Sequence, residues 1–188
     1  MIGLACMRAL AKADFEVIGV GRSMRSANAV DLSVEWIIRD IPTITTEGWW
    51  AILDGVDVIV NSSGALQDGA KDDLEAIHVA AVERLVEAAA VLSVRIIQIS
   101  AAGVSETAST AFFRTKARGN MILSSRAANW IILRPTLVLS QEAYGGRHFF
   151  ARPPRCRCFS HVSCQMRRSR QFMLGVWLLR SWHPPRGE

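Results

Sequence analysis

The sequence has 188 residues, of which 50% are hydrophobic and 21% are charged. This length allows one domain with a proper core and no second large one, and the composition excludes a disordered, collagen-like or disulfide-rich chain. The net charge of +5 averages two unlike parts: residues 1–146 hold 13 basic and 16 acidic residues, whereas residues 147–188 hold nine arginines and one acid. The basic tail is therefore no argument that the domain binds nucleic acid.

The first 146 residues contain one cysteine, Cys6, which cannot form a disulfide framework, so a reducing compartment is expected. Arg8 and Lys12 interrupt the apolar run at the N-terminus, which favours a helix over a signal peptide. No stretch approaches the roughly 18–20 apolar residues that a membrane span needs. The sequence therefore predicts a cytoplasmic protein with no transmembrane segment.

Apolar residues at helical spacing predict that the chain opens in a helix ending near Asp14. Short apolar runs bounded by turn residues predict strands at Glu16–Gly21, residues 34–38, 57–60 and 95–100, and Trp130–Leu133. Helices are expected at residues 48–53 and 111–127, and between them a long helix has one apolar face formed by Leu74, Ile77, Ala81, Leu85, Ala88 and Leu92. Because the strands alternate with helices and are apolar on both faces, the sequence predicts an α/β fold with a doubly wound parallel sheet.

Short polar or glycine-containing segments accompany these elements in a fixed order. They are Gly3, Arg22-Ser23, Asn61-Ser62-Ser63-Gly64, residues 112–116 (FFRTK) and Arg134-Pro135-Thr136. In this order they resemble the atypical or extended short-chain dehydrogenase/reductases, and most of all a bacterial group akin to the NADPH-binding subunit of respiratory complex I. The resemblance runs from Met1 to about Gly146 and implies a Rossmann-like NAD(P)-binding domain.

The resemblance implies a turn, G-x-x-G-x-x-G, between the family's first strand and first helix, where backbone N–H groups bind the pyrophosphate. Only its last glycine is present, as Gly3. The other two glycines and the strand itself are expected upstream of Met1. The chain is therefore expected to lack its first strand. Because that strand is normally central in the sheet, its loss is expected to make the chain fold poorly and bind cofactor weakly.

Two positions correspond to the adenosine half of the cofactor. Arg22, with Ser23 beside it, matches the place where an arginine suits a 2′-phosphate, so NADP(H) is favoured over NAD(H). The alternative for these residues is a solvated basic loop. Asp40 matches the position whose carboxylate faces the adenine amino group, and the alternative is an ordinary surface aspartate in a turn.

The turn Asn61-Ser62-Ser63-Gly64 resembles the family's strand-end turn beneath the cofactor ribose, where glycine permits the bend. Arg134-Pro135-Thr136 resembles the R-P-x turn at the nicotinamide end. The respective alternatives are a plain strand-to-loop turn and a proline-terminated strand. Asp72, Asp73 and Glu75 are expected only to form the charged first turn of a helix.

The family's usual catalytic groups are a serine, a tyrosine that delivers a proton, and a lysine four residues after the tyrosine that lowers its pKa. Lys116 is in place, but the tyrosine position holds Phe112, which cannot donate a proton. The only tyrosine, Tyr144, lies outside this helix. Ser100 ends its strand where the family has a serine. The predicted catalytic residues are therefore Lys116 and Ser100, and ordinary carbonyl reduction is not expected.

Residues 147–188 form an Arg- and Cys-rich tail that is expected to be irregular or out of frame with the coding sequence before it. Two other interpretations are zinc binding and binding of RNA or an anionic surface. The candidate zinc ligands are Cys156, Cys158, His161 and Cys164, but their spacing matches no common structural site. No metal site and no nucleic-acid partner are predicted.

Three functions remain open. An NAD(P)(H)-binding module without Tyr-dependent chemistry is favoured, because the cofactor turns occur in order beside Phe112. The second is an active oxidoreductase or epimerase that uses another proton donor, such as a water held by Lys116 and Thr115. The third is a structural or assembly protein of a membrane complex, as the likeness to the complex I subunit implies. The substrate is not readable from the sequence.

Overall fold

A computed structural model describes residues 2–13, 15–24, 27, 34–69, 72–136 and 175–180. It contains a six-stranded sheet with helices packed on both of its faces. The predicted α/β, Rossmann-like class is confirmed.

The described helices and strands begin and end close to where the sequence predicts them, with one strand added. The strands are β1 (Glu16–Gly21), β2 (Glu35–Ile38), β3 (Val58–Asn61), β4 (Arg95–Ile99), β5 (Trp130–Leu133) and β6 (Gly175–Arg180). The α-helices are α1 (Ile2–Lys12), α2 (Thr46–Ile52), α3 (Ala81–Leu92) and α4 (Ala111–Arg126). A short 3₁₀ turn covers Ile41–Thr43, and a π-helical segment, Ala76–Ala80, leads directly into α3.

Side-chain caps explain where several of these helices begin. The hydroxyl of Thr45 accepts from the Gly48 N–H at the start of α2, and the hydroxyl of Thr110 accepts from the Phe113 N–H at the start of α4. These bonds satisfy backbone donors that have no partner inside the helix. At its other end, α3 stops at Ser93, whose φ of 58° places it in the left-handed region.

The sheet order is β2-β1-β6-β3-β4-β5. Strands β1 and β2, β3 and β4, and β4 and β5 pair in parallel, whereas β6 is antiparallel to both β1 and β3. The described sheet is thus mostly parallel, as the sequence predicts, and β6 is the antiparallel strand in it. The place between β1 and β3, where the Rossmann order puts the first strand, is filled, and the strand that fills it runs the other way.

Strand β6 also corrects the prediction that the whole tail is irregular. Its side chains contribute to the core on both faces of the sheet. Leu178 packs beneath α2, α3 and α4, and Leu179 packs beside Met7 of α1. Strand β6 is a short apolar run like β1 and β3, but such a run does not show which strands it pairs with.

The remaining predictions for the tail lie outside the described residues. These are the irregular or out-of-frame segment at 147–174 and 181–188, the candidate zinc ligands, and Tyr144. Within the ranges that the structure describes, no helix is long and apolar enough to cross a membrane.

The carboxyl ends of β1 to β5 lie at one side of the sheet, which we call the C-terminal edge. Backbone bonds continue the pairing beyond the strand ends, since the Arg39 N–H donates to the Gly21 carbonyl and the Ser100 N–H donates to the Leu133 carbonyl. Helix α1 is joined to β1 by only a few residues, so it runs back along the sheet and its N-terminus lies at this same edge. In open α/β sheets, ligands bind at this edge.

Candidate functional site

The turn after β3 is built by two buried side chains. The Asn61 amide donates to the Gln98 side-chain oxygen on β4 at 2.8 Å, and Asn61 Oδ1 accepts from the backbone N–H and the hydroxyl of Ser63. The side chains of Asn61 and Ser63 are therefore engaged in hydrogen bonds that hold the turn. Ser62 and Gly64 alternate with them and are half-buried.

Gly64 is required by space. Its φ is not in the left-handed region, so the expectation that glycine permits a bend here is wrong. A Cβ at this position would lie 3.1 Å from His78 Nε2 and 3.4 Å from Lys116 Nζ. The missing side chain lets both groups approach the turn.

Lys116, on α4, is buried beside this turn with 7% of its surface exposed. Its ammonium donates to the backbone carbonyl of Ile99, at the end of β4, at 3.2 Å. In the part of the chain that the structure describes, the other two N–H groups of the ammonium have no protein acceptor. Burial lowers the pKa of Lys116 to about 8, so the amine is poised to change charge just above neutral pH.

Phe112 lies one helical turn before Lys116, and the Lys116 ammonium is 5.8 Å from the centre of its ring. The same ring meets the edge of the His78 imidazole at 5.5 Å between centroids. The structure thus brings together Lys116 and the position where the resemblance puts a tyrosine. A phenyl ring there offers a cation–π contact and no proton.

His78, in the π-helical segment, is buried with 2% of its surface exposed. Its Nε2 accepts from the Ala65 backbone N–H at 3.3 Å, and its Nδ1 lies 2.8 Å from the Thr115 hydroxyl oxygen. Burial, reinforced by the charge of Lys116, lowers the pKa of His78 to about 3. The ring is therefore neutral at pH 7. Because a backbone N–H can only donate, Nε2 carries the lone pair and Nδ1 carries the proton.

The Thr115 hydroxyl receives that proton as an acceptor and donates its own to the Ala111 carbonyl at 2.9 Å. Thr115 is 5% exposed, so this hydroxyl faces the protein interior. The Thr115 hydroxyl has one proton, which it already donates to the Ala111 carbonyl. A water held by Lys116 and Thr115, the alternative proton donor that the sequence suggests, would find a donor only in Lys116.

Low pH is expected to destabilise the domain through His78. The unfolded chain binds a proton at His78 below pH about 6.5 and the folded chain does not, so the unfolding free energy falls by about 1.4 kcal/mol per pH unit between roughly pH 6 and pH 4. Urea unfolding at several pH values measures this slope. The His78→Gln variant should show a shallower slope over the same range, and an equal slope in the two proteins would contradict the assignment.

Ser100 is buried, and its hydroxyl accepts from the Asn120 side-chain amide at 2.7 Å. Asn120 lies one turn after Lys116 on the same face of α4. The structure therefore places Ser100 near Lys116 but uses its hydroxyl to anchor the helix. Its catalytic role stays a prediction.

The segment Arg134-Pro135-Thr136 runs beside the loop that follows β4. The Ala102 N–H donates to the Pro135 carbonyl at 3.0 Å, while Arg134 and Thr136 are exposed. This end of the sheet thus has two exposed polar side chains next to the Ser100 loop. Their role at the nicotinamide end stays a prediction.

The end of β1 carries Arg22, whose guanidinium pairs with the Asp72 carboxylate at 2.8 Å. Ser23 follows it and is half-buried. Asp73, and not Asp72, caps the next helix, since its carboxylate accepts from the N–H groups of Glu75 and Ala76. The expectation of a plain charged first turn therefore holds for Asp73, but it misses the ion pairs of Asp72 with Arg22 and of Glu75 with Arg118.

Asp40 follows β2, is exposed and makes no side-chain cap bond to the 3₁₀ turn after it. Gly3 is buried in the first turn of α1. Both lie at the C-terminal edge with Arg22 and Lys116. Across the described ranges, no group of acidic, histidine or cysteine side chains could hold a metal ion.

A shallow cleft of about 520 Å³ opens beside the start of α4. Its lining contains four carboxylates and one guanidinium: Asp68, Gly69, Asp72, Asp73, Leu74, Glu75, Ala111, Thr115 and Arg118. This balance of charge disfavours phosphate groups. The cleft is therefore unsuited to the pyrophosphate of a dinucleotide.

Three residues of the site were not predicted from the sequence: His78, Gly119 and Asn120. The signal for His78 in the sequence is its polar side chain, which lies beside the apolar helix face that begins at Leu74. Gly119, a glycine inside a helical pattern, is the signal of a close approach. A Cβ on Gly119 would lie 2.0 Å from the His78 carbonyl oxygen, so α4 contacts the π-helical segment through its backbone.

A sequence model of a family described as NAD(P)H-binding matches residues 1–154, which is most of the chain. The chain belongs to this NAD(P)H-binding family. The cofactor class that the strand-end turns imply is thereby confirmed as NAD(P)(H).

Solved structures similar to the NAD(P)H-binding domain include reductases. Triphenylmethane reductase from Citrobacter sp. is 20% identical, with a TM-score of 0.55 over 72% of this chain and 45% of its own. A short-chain dehydrogenase/reductase from Burkholderia vietnamiensis is 20% identical, with a TM-score of 0.48 over 75% of this chain and 81% of its own. A dTDP-4-dehydrorhamnose reductase from Bacillus anthracis str. Ames, in complex with NADP, is 12% identical, with a TM-score of 0.45 over 58% and 46%.

The NAD(P)H-binding domain spans less than half the length of the triphenylmethane reductase and of the dTDP-4-dehydrorhamnose reductase. At 20% identity, the likeness to the triphenylmethane reductase shows the fold alone. No curated protein matches the chain.

Proposed function

We propose that this NAD(P)H-binding domain holds NADP(H) along its C-terminal edge and has no Tyr-dependent reductase chemistry, as in the atypical short-chain dehydrogenase/reductases. One observation carries this proposal: the ring of Phe112, which has no hydroxyl, stands beside the Lys116 ammonium at 5.8 Å. Lys116 would still bind a ribose hydroxyl, but Phe112 beside it has no proton to donate.

The residues present fit a dinucleotide. Because Gly64 has no side chain, the Lys116 ammonium comes close to the turn, 3.4 Å from where a Cβ would lie, and two of its N–H groups have no acceptor among the described residues. The N-terminus of α1 lies at the same edge and offers backbone N–H groups to a phosphate. A ribose hydroxyl and a pyrophosphate are the ligand groups that match these donors.

Each half of the cofactor has candidate contacts. On the adenosine side, Arg22 and Ser23 would hold the 2′-phosphate, Asp40 would face the adenine and the first turn of α1 at Gly3 would meet the pyrophosphate.

On the nicotinamide side, the turn Asn61-Ser62-Ser63-Gly64 would lie beneath the ribose. Lys116 would bind the nicotinamide ribose, and Arg134-Pro135-Thr136 would border the nicotinamide. When bound, the cofactor supplies a hydride donor or acceptor.

Cofactor preference is expected to depend on Asp72 as well as on Arg22. The ion pair at 2.8 Å offsets the charge that a 2′-phosphate would meet. Asp72→Asn should therefore raise the affinity for NADPH relative to NADH by severalfold, and Arg22→Gln should lower the same ratio. Calorimetric titration of both cofactors measures it. Glu47→Gln, at an exposed position on α2, changes the net charge by the same amount as Asp72→Asn and should leave the ratio unaltered.

Catalysis is tested by following NADPH oxidation with a panel of ketones and aldehydes. The wild-type protein should show no turnover, because no hydroxyl accompanies Lys116 at the position of Phe112. Turnover by the wild type that Lys116→Ala removes would contradict the proposal and favour an active oxidoreductase or epimerase with another proton donor.

A partnership with a membrane complex, and a cytoplasmic location, rest on the resemblance and on the single cysteine of the first 146 residues. Co-purification with a membrane fraction, weakened by Arg22→Glu, would support the partnership. Purification of the wild type free of any membrane protein would count against it.

A further inference from the structure

We propose that His78 is a positioning residue that fixes the Gly64 turn and Lys116 in one mutual arrangement, the one that the cofactor site requires. This inference rests on the proposed function, because it concerns how that same site is assembled. His78 lies outside every segment on which the family resemblance depends.

One imidazole ring contacts the immediate neighbours of both groups. Nε2 accepts from the N–H of Ala65, which follows Gly64, and Nδ1 donates to the hydroxyl of Thr115, which precedes Lys116. The distances are 3.3 Å and 2.8 Å. The ring therefore joins the end of β3 to α4 at the level of the Lys116 ammonium.

This bridge works only with a neutral ring. An imidazolium has two donors and no acceptor, so it could not receive the Ala65 N–H. The ring is 2% exposed, and the nearby Lys116 charge opposes a second positive charge. The burial that excludes water from His78 thus also maintains the hydrogen bond to the turn.

The backbone of His78 is held as firmly as its ring. Gly119 of α4 comes so close that a Cβ there would lie 2.0 Å from the His78 carbonyl oxygen. The π-helical segment at Ala76–Ala80 widens the helix at this point. Since backbone and side chain are both fixed against α4, the ring has little freedom to follow a displaced turn.

Two substitutions separate the two hydrogen bonds. His78→Gln puts its amide near the place of Nε2 and loses the contact with Thr115, whereas His78→Asn puts its amide near the place of Nδ1 and loses the contact with Ala65. We expect each to weaken NADPH binding about tenfold, the loss that accompanies one removed hydrogen bond at a constrained site. Trp49→Phe, at a buried position on α2, is the control for lost stability and should leave the NADPH affinity unchanged.

A second readout needs no cofactor. The rate of Lys116 acetylation against pH, followed by peptide mass spectrometry, should give an apparent pKa of about 8 in the wild type. Water entering a loosened turn should raise it toward roughly 10 in the two His78 variants, and Trp49→Phe should keep the wild-type value. Nitrogen NMR should show His78 neutral at pH 7 with its proton on Nδ1.

The outcomes separate the two proposals. Wild-type protein that binds neither NADPH nor NADH would refute the proposed function, and the acetylation profile and the NMR tautomer would still decide the role of His78. An acetylation profile that is the same in the wild type and both variants would overturn the positioning role. So would a His78 ring with its proton on Nε2. A wild-type protein that binds NADPH, with unchanged affinity in both variants, would overturn it equally.

Discussion

Replacing Leu178 with aspartate is expected to abolish the cooperative unfolding of the domain. Leu178 is 0% exposed at the centre of β6, where it pairs with Ile18 on β1 and Ile59 on β3. Leu→Ala at such a site costs about 2–5 kcal/mol, and a buried unpaired carboxylate costs more, against a total stability of about 5–15 kcal/mol. The aspartate variant should therefore show no cooperative transition in urea, and Leu178→Ala should show a transition at markedly lower urea.

The control for this prediction lies on the edge strand β5. Leu133 is 48% exposed, so Leu133→Asp should change the urea midpoint only slightly. If Leu178→Asp unfolded with the midpoint of the wild type, β6 would not be the central strand of the folded protein. In that case the earlier expectation of a vacant place in the sheet, and of a poorly folded chain, would stand.

Replacing Gly119 with alanine is expected to destabilise the domain by about 3 kcal/mol or more, because overpacking against the backbone cannot relax through a side-chain rotation. A Cβ at this site would lie 2.0 Å from the His78 carbonyl oxygen. Helix propensity alone predicts the opposite sign, since alanine is favoured over glycine by about 1 kcal/mol inside a helix. Thermal unfolding of the two proteins therefore distinguishes close packing from propensity.

Gly48 of α2 provides the matched control. A Cβ there would meet a methyl group of the Ile44 side chain at 3.1 Å, with no backbone atom among its near contacts. Gly48→Ala should therefore be close to neutral. Equal melting temperatures for Gly119→Ala and the wild type would contradict the close contact between α4 and the π-helical segment.

Most of the elements could be predicted from the sequence because each has a local signal. The apolar runs at β1, β3 and β4 and the periodic face of the long helix are such signals, although Leu92 of that face is 41% exposed. Strand β6 is also an apolar run, but no local signal shows where in the sheet it lies. Its place between β1 and β3 depends on contacts with residues more than a hundred positions earlier, as the Arg180 hydrogen bond to the Asp54 carbonyl illustrates.

The residues of the candidate site differ in the same way, since some have a local signal in the sequence and others do not. Phe112 and Lys116 could be predicted because they lie four residues apart in one helix and belong to one motif. His78 and Thr115 are 37 residues apart, and only the packing of α4 against the π-helical segment brings them together. The pairing of Arg22 with Asp72, 50 residues later, is likewise a property of the folded chain.

Protection of Lys116 by cofactor tests the central claim most directly, since that claim places NADP(H) at the C-terminal edge against this ammonium. Acetylation of Lys116 in the full chain, measured by mass spectrometry near pH 8 with and without saturating NADPH, provides the measurement. We expect NADPH to slow the modification of Lys116 severalfold and to leave the exposed Lys12 unaffected. Equal rates at Lys116 with and without NADPH would contradict the account.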